Sequence, residues 1–144
     1  MTSKTHYRRL ENMFASAPIH QLVQATIRVD KGRAEVVIPV QERFFHAAGA
    51  LHGAIYFMAL DNAAFFAANS LVSEAFVLTS NFNTYLLRPI SKGRIKAVGN
   101  VVARSRTQIV AEAAAFNDEG KEIARGSGIF VPGKTALGPE IGYR

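Results

Sequence analysis

The sequence predicts an α+β domain in which a curved antiparallel sheet wraps one long central helix, and three observations carry that prediction. The first is a helix-length segment, Leu51 to Asn69, apolar on every side and interrupted by a single acid, Asp61. The second is the set of period-two stretches that flank it, a pair before the segment and a longer series after it. The third is size, because 144 residues build one core and leave no room for a second.

The elements follow in order. Thr5 to about Ala15 reads as a short amphipathic helix with Tyr7, Leu10, Met13 and Phe14 on one side, stopped before Pro18 and placed to act as a lid or brace. From Ala25 the period drops to two: Ile27 and Val29 alternate with polar residues, Asp30-Lys31-Gly32-Arg33 is a turn signal, and Ala34, Val36, Ile38 and Val40 resume the alternation. Gln41 to Ala50 is a loop, and the long helix runs from Leu51 or His52 to Asn69. Strands are expected over Phe76 to Leu87, Arg94 to Arg104, Thr107 to Asn117 and Lys121 to Val131, arranged as a meander. The core thus spans about 18–131 of a single domain, and 132–144, punctuated by Gly and Pro, is expected to be a mobile tail.

Composition excludes several function classes. The chain is 49% hydrophobic and 19% charged, and its longest uninterrupted apolar run, Ala54 to Leu60, falls well short of the ~18 residues of a membrane span. The first ten residues lack the apolar stretch of a secretory signal, so a cytoplasmic location is expected. With no cysteine, disulfides, thiolate catalysis and Cys-based zinc sites are excluded. His6, His20, His46 and His52 show no ligand spacing, and no metal is expected. The formal charge of +6 comes from dispersed basic residues rather than a block, which suits an anionic small ligand better than nucleic acid. Gly128 to Thr135 formally matches a phosphate-binding loop, yet Ile129 to Val131 reads as strand and the residues after it cannot build the helix such a loop requires.

Asp61 and Gly53 carry the chemistry that the residues themselves suggest. Desolvating an unpaired aspartate costs several kcal/mol or returns its proton, so Asp61 is either paired or working. A helix N-terminus offers free N–H groups and a positive dipole end, which suits a carbonyl oxygen becoming an oxyanion, and a glycine there permits close approach. In a helix starting near His52, Asp61 lies about 13 Å along and about 180° around the axis, so one chain cannot aim both at one carbonyl. A second subunit supplying Asp61 resolves this, the carboxylate then attacking an acyl carbonyl or deprotonating the water that does. The plainer readings are a structural carboxylate satisfied by Arg, Ser or Thr, and a helix-start glycine with no further role.

The hairpin, the loop, His52-Gly53-Ala54 opening a long helix, Asp61 nine residues after the His, and then Thr79 to Pro89 together resemble the hotdog-fold acyl-CoA thioesterases of the phenylacetate-degradation group. The chain has Ala54 where that group has a second Gly. The resemblance implies a hotdog fold, a homodimer or homotetramer with the active site shared between subunits, and hydrolysis of an acyl-CoA to a free acid and CoA without cofactor. Residue by residue it implies Asp61 as base or nucleophile, the Gly53 amide as carbonyl holder, and Thr79 as the group that positions water. It places His46 where the group uses an Asn to hold the carbonyl or the water, and a His can donate the same bond in the right tautomer. Arg104 and Arg106 fall near the nucleotide end of coenzyme A, where the forked guanidinium suits phosphate. His52 reads as a packing or capping side chain rather than a base, grouped with the arginines on the CoA side. Phe57, Phe65, Phe66 and Tyr85 are candidates for an acyl tunnel or for plain core. Two other functions fit the same fold: a non-catalytic acyl-CoA-binding module, and a hydratase or dehydratase.

Overall fold

The computed structural model describes all 144 residues. Its centre is α3 (Gly53–Asn69), which starts one or two residues after the expected position because His52, still extended, serves as the N-cap. The helix sits in the concave face of a six-stranded antiparallel sheet: β1 (Thr26–Asp30), β2 (Arg33–Pro39), β3 (Ala75–Leu86), β4 (Arg94–Arg104), β5 (Ile109–Phe116) and β6 (Glu122–Ala136). Small residues let the helix approach the sheet closely. Ala111, Ala113 and Ala115 line the helix-facing side of β5, and a Cβ on Gly99 of β4 would stand 2.2 Å from the Ala63 carbonyl oxygen, so any side chain there would push α3 away.

The sheet order is β1-β2-β4-β5-β6-β3, which corrects the expected meander. β4, β5 and β6 do follow one another as hairpins, but β3 crosses to the far edge and pairs with β6, while β4 pairs with β2. The connection from Leu87 to Gly93 is too long for a tight turn, and it carries the chain across the helix end instead. Gly128 to Thr135 lies wholly within β6, as strand rather than phosphate loop.

The N-terminal region contains more structure than its pattern suggests. α1 (Ser3–Ser16) stops before Pro18 as expected, with Ala17 extended, and Pro18 also opens a second helix, α2 (Pro18–Val23), at a first-turn position. His20 of α2 stacks on Phe14 at 3.7 Å and donates from Nδ1 to the Phe14 carbonyl, and its burial pushes the imidazole pKa down. α1 also closes the β1 edge. Arg8 donates to the Val29 carbonyl and Glu11 accepts from the Val29 N–H, at 2.9 and 2.8 Å, so a side-chain pair takes the place of a neighbouring strand.

The segment 132–144 is not the loose tail expected. β6 runs on to Ala136, a 3-10 turn covers Pro139–Ile141, and the Tyr143 ring is buried with its hydroxyl 2.7 Å from His6 Nδ1. The Gly and Pro residues shape a strap whose partners are at the opposite end of the chain.

One stripe of α3 is left uncovered by the sheet of its own chain. Ala54 and Phe57 are exposed and Met58 and Asp61 are partly so, a one-face spacing. Beside this stripe, edge strand β3 and its end expose Leu78, Leu86 and Leu87, each about half accessible.

Candidate active site

The residues singled out in the sequence fall into three places along α3. At its N-terminus the Gly53 N–H has no acceptor within the chain, whereas the next amide, that of Ala54, is held by His52 Nδ1 at 2.9 Å. His52 is therefore a cap, its role as a helix-start side chain visible in the geometry. A Cβ on Gly53 would meet Leu86 Cδ1 at 2.9 Å, so glycine keeps this amide accessible beside the β3 end. His46 lines the same depression, about 230 Å³, together with Tyr56, Leu86 and Arg88. Its Nδ1 accepts from the Ala48 N–H at 3.1 Å, which leaves the proton of the neutral ring on Nε2 and makes that nitrogen a free donor. Tyr56 and Arg88 carry no motif of their own; Tyr56 follows Gly53 by three residues, about one helical turn, and its hydroxyl donates to the Arg88 carbonyl at 2.8 Å.

Midway along the helix, Asp61 and Thr79 are brought together. The Thr79 hydroxyl donates to Asp61 Oδ1 at 3.0 Å across the gap between α3 and β3. No cation pairs with Asp61. Burial pushes its carboxyl pKa up, and the Thr79 hydrogen bond opposes that in part. The result is a carboxylate more basic than usual, on the open stripe of the helix, with one hydroxyl beside it. Phe57 lies one turn earlier on the same stripe with its ring edge-to-face against Phe82 at 5.7 Å, whereas Phe65 and Phe66 belong to the core. Tyr85 is 64% exposed and lines no enclosed tunnel within the chain.

Arg104 and Arg106 are at the other end. Arg104 donates to the Leu71 carbonyl at 3.0 Å just beyond the α3 C-terminus, and with Arg106, Ser105 and Gln108 it borders a separate depression of about 330 Å³. α3 has 17 residues and is about 25 Å long, so these arginines do not share a site with the Gly53 of their own chain. Gly53 and Asp61 are likewise separated by about 12 Å of helix. A wider depression, about 570 Å³, is on the outer face of the sheet and away from all three places. Of its walls, Arg94 pairs with Asp118, and Glu35 pairs with Lys96 and with Arg33 beside it; Arg33 and Lys96 hold the Glu35 carboxyl below its usual range. Both of its acids, Glu35 and Asp118, are thus tied to cations. No helix is long and apolar enough to cross a membrane.

Comparison with known proteins places the chain in a family. Residues 48–124 match the family described as the thioesterase superfamily, a span that includes Gly53, Asp61, Thr79, Arg104 and Arg106. A curated relative from Saccharolobus solfataricus, named "Putative esterase SSO2140", is 33% identical over 102 residues, covering 71% of this chain and 73% of the relative. The structure of the PaaI protein from the phenylacetic acid degradation operon of E. coli superposes with a TM-score of 0.85 at 20% identity, over 94% of this chain and 99% of that one. A thioesterase family protein from Silicibacter pomeroyi superposes with a TM-score of 0.78 at 31% identity, over 88% and 96% of the two chains. The fold is the hotdog fold, and the chain belongs to the thioesterase superfamily.

Proposed function

We propose that this protein hydrolyses acyl-CoA thioesters at a site shared between two copies of the chain, Asp61 of one copy acting with the Gly53 amide of the other. The observation that carries the reading is the pairing of an unbonded Gly53 N–H at a helix start with a basic, cation-free Asp61 about 12 Å along the same helix. Each is half of an acyl-transfer site, and only a second helix brings the halves together. The open α3 stripe, the exposed leucines of β3 and the unpaired β3 edge offer the surface for that second copy.

In this site the acyl carbonyl accepts from the Gly53 N–H and from His46 Nε2–H. Asp61, oriented by Thr79, takes a proton from water as the water oxygen bonds to the carbonyl carbon. The tetrahedral oxyanion is held by the same donors, which bind it more strongly than the ground-state carbonyl. Its collapse breaks the C–S bond, and the thiolate leaves with the proton that Asp61 returns. The net reaction consumes one water and needs neither metal nor cofactor. Arg104 and Arg106, at the far end of the helix, meet the phosphates of coenzyme A, and a chain of net charge +6 favours that polyanion.

The test is a panel of acyl-CoAs of aryl, short and long acyl type, read with a thiol-reactive dye. The protein has no cysteine and contributes no signal of its own. Dye reaction with at least one acyl-CoA, lost in Asp61→Asn, supports the reading. Binding without release of thiol would assign a non-catalytic acyl-CoA module instead, and hydration of crotonyl-CoA would assign a hydratase.

A further inference from the structure

Asp61 and Thr79 belong to different elements, and something must set the distance between them. They are joined through the turn after α3, and β3 is an edge strand that pairs only with β6. That pairing is weakest where it matters. Register irregularities fall between Ala75 and Val77 and again between Thr79 and Asn81, so that between them only Val77, Leu78 and Thr79 stay in register, opposite Pro132, Val131 and Phe130. Pro132 has no N–H to offer the ladder.

A single side chain spans this gap. Asn69, the last residue of α3, is fully buried, and its Oδ1 accepts from the Val77 N–H at 3.1 Å. Its Nδ2 donates to the carbonyls of Val72 and Ala75, both at 3.0 Å. Three backbone groups of the turn and of the incoming strand are thus satisfied by one carboxamide at the helix end, and none can be left unpaired without cost. Val77 and Thr79 are two apart on the strand and point to the same side, toward α3. The amide that fixes Val77 therefore fixes Thr79. Asn69 is itself seated by His6, whose Nε2 donates to the Asn69 carbonyl at 3.0 Å while Nδ1 meets the Tyr143 hydroxyl. The titratable or charged groups around it are His6 from α1, Tyr143 from the C-terminal strap and the Arg104 guanidinium on Leu71.

We propose that Asn69 is a positioning residue for the Asp61–Thr79 pair, its carboxamide setting where β3 lies against α3 and so holding the Thr79 hydroxyl on the Asp61 carboxylate. The proposal rests on the reading of Asp61 as the base and adds a residue that never meets substrate.

The experiment compares Asn69→Ala, Thr79→Val and the double variant, measuring the titration of the Asp61 carboxyl by carbon-13 NMR alongside kcat and KM. Loss of the Thr79 bond favours the protonated carboxyl. The Asp61 titration therefore moves to higher pH in both single variants and no further in the double. kcat falls on the order of 10-fold in each single variant without a further fall in the double, and KM is unchanged. If Asn69→Ala does not fold, Asn69→Ser, which keeps a polar atom at the helix end, takes its place with the same expected results. An Asp61 titration unmoved by the Asn69 variant, or kcat losses that multiply in the double, would overturn the proposal by showing that Asn69 serves only the fold. The NMR arm reads the pair directly, so it decides the matter even if no acyl-CoA is hydrolysed.

Discussion

Asp61→Asn should remove activity and raise stability together. The amide is nearly isosteric and its oxygen still accepts from the Thr79 hydroxyl, so the local geometry at 3.0 Å is preserved. It is neither basic nor nucleophilic, and kcat should fall by at least ~10²-fold, the usual scale for a general base. The stability change follows from the same burial that makes Asp61 basic. Its carboxyl pKa is raised above the ordinary 3.8, chiefly by desolvation, so the folded state holds the proton more tightly than the unfolded chain does. Below the unfolded value the carboxyl is neutral in both states and costs nothing. As pH rises through the folded pKa, the folded state must carry a poorly solvated charge, and the cost is full above it. A fully buried charge would cost several kcal/mol, but Asp61 is partly exposed and solvent screens it, which leaves about 1 kcal/mol. For a chain of this size that is a Tm gain of about 3 °C in the variant. The assay is thermal unfolding of both proteins from about pH 3 to 8, with turnover measured at neutral pH. The Tm difference should be near zero at the acid end and open as pH rises. A variant that keeps most of its kcat, or a Tm difference that does not change with pH, would refute the reasoning.

Arg106→Glu should raise KM for acyl-CoA about 10-fold while barely changing the kinetics of an acyl-pantetheine that lacks the nucleotide. Arg106 is the cleaner probe because Arg104 also braces the Leu71 carbonyl; equal damage to both substrates would place Arg106 outside the CoA site. His46→Asn should retain most activity, since the carboxamide supplies a donor of its own, whereas His46→Ala should lose about 10-fold in kcat at unchanged KM. Equal rates for His46→Ala and the native chain would remove His46 from the carbonyl site.

What could be read from the sequence was whatever is decided locally. α3, β2 and β4 fall within one or two residues of their expected bounds, because periodicity, a capping His and turn residues act over a few positions. Three features escaped because their causes are distant in the chain. Pro18 stops α1 and also opens α2, a helix with no signal of its own because Ile19 and Leu22 face solvent and leave no amphipathic pattern. The Gly and Pro residues after Pro132 suggest disorder until His6 and Ser16 are seen waiting for Tyr143 and Gly142. β3 pairing with β6 rather than β4 is a matter of topology, which alternation alone does not encode. At the candidate site, Asp61 stood out as a lone acid and Gly53 as a helix-start glycine, while the Asp61–Thr79 contact and the role of Asn69 depend on how two elements meet.

The shared site is the central claim, and subunit complementation tests it most directly. Gly53→Pro removes one N–H at a first-turn helix position where proline is tolerated, and His52, at φ −63° and ψ 140°, already has the conformation that precedes proline. The nearby Leu86 Cδ1 is the end of a flexible side chain and can yield to the ring. Alone, Gly53→Pro should lose on the order of 10²-fold in kcat, as removal of an oxyanion donor does, and Asp61→Asn should be equally inactive. Unfolded together and refolded as a mixture, the two form hybrids in which one of the two sites has both its native Asp61 and its native Gly53. With random pairing in a two-fold dimer, the mixture should recover about a quarter of native activity. A mixture as inactive as its parents, with hybrids shown to form, would contradict the shared site.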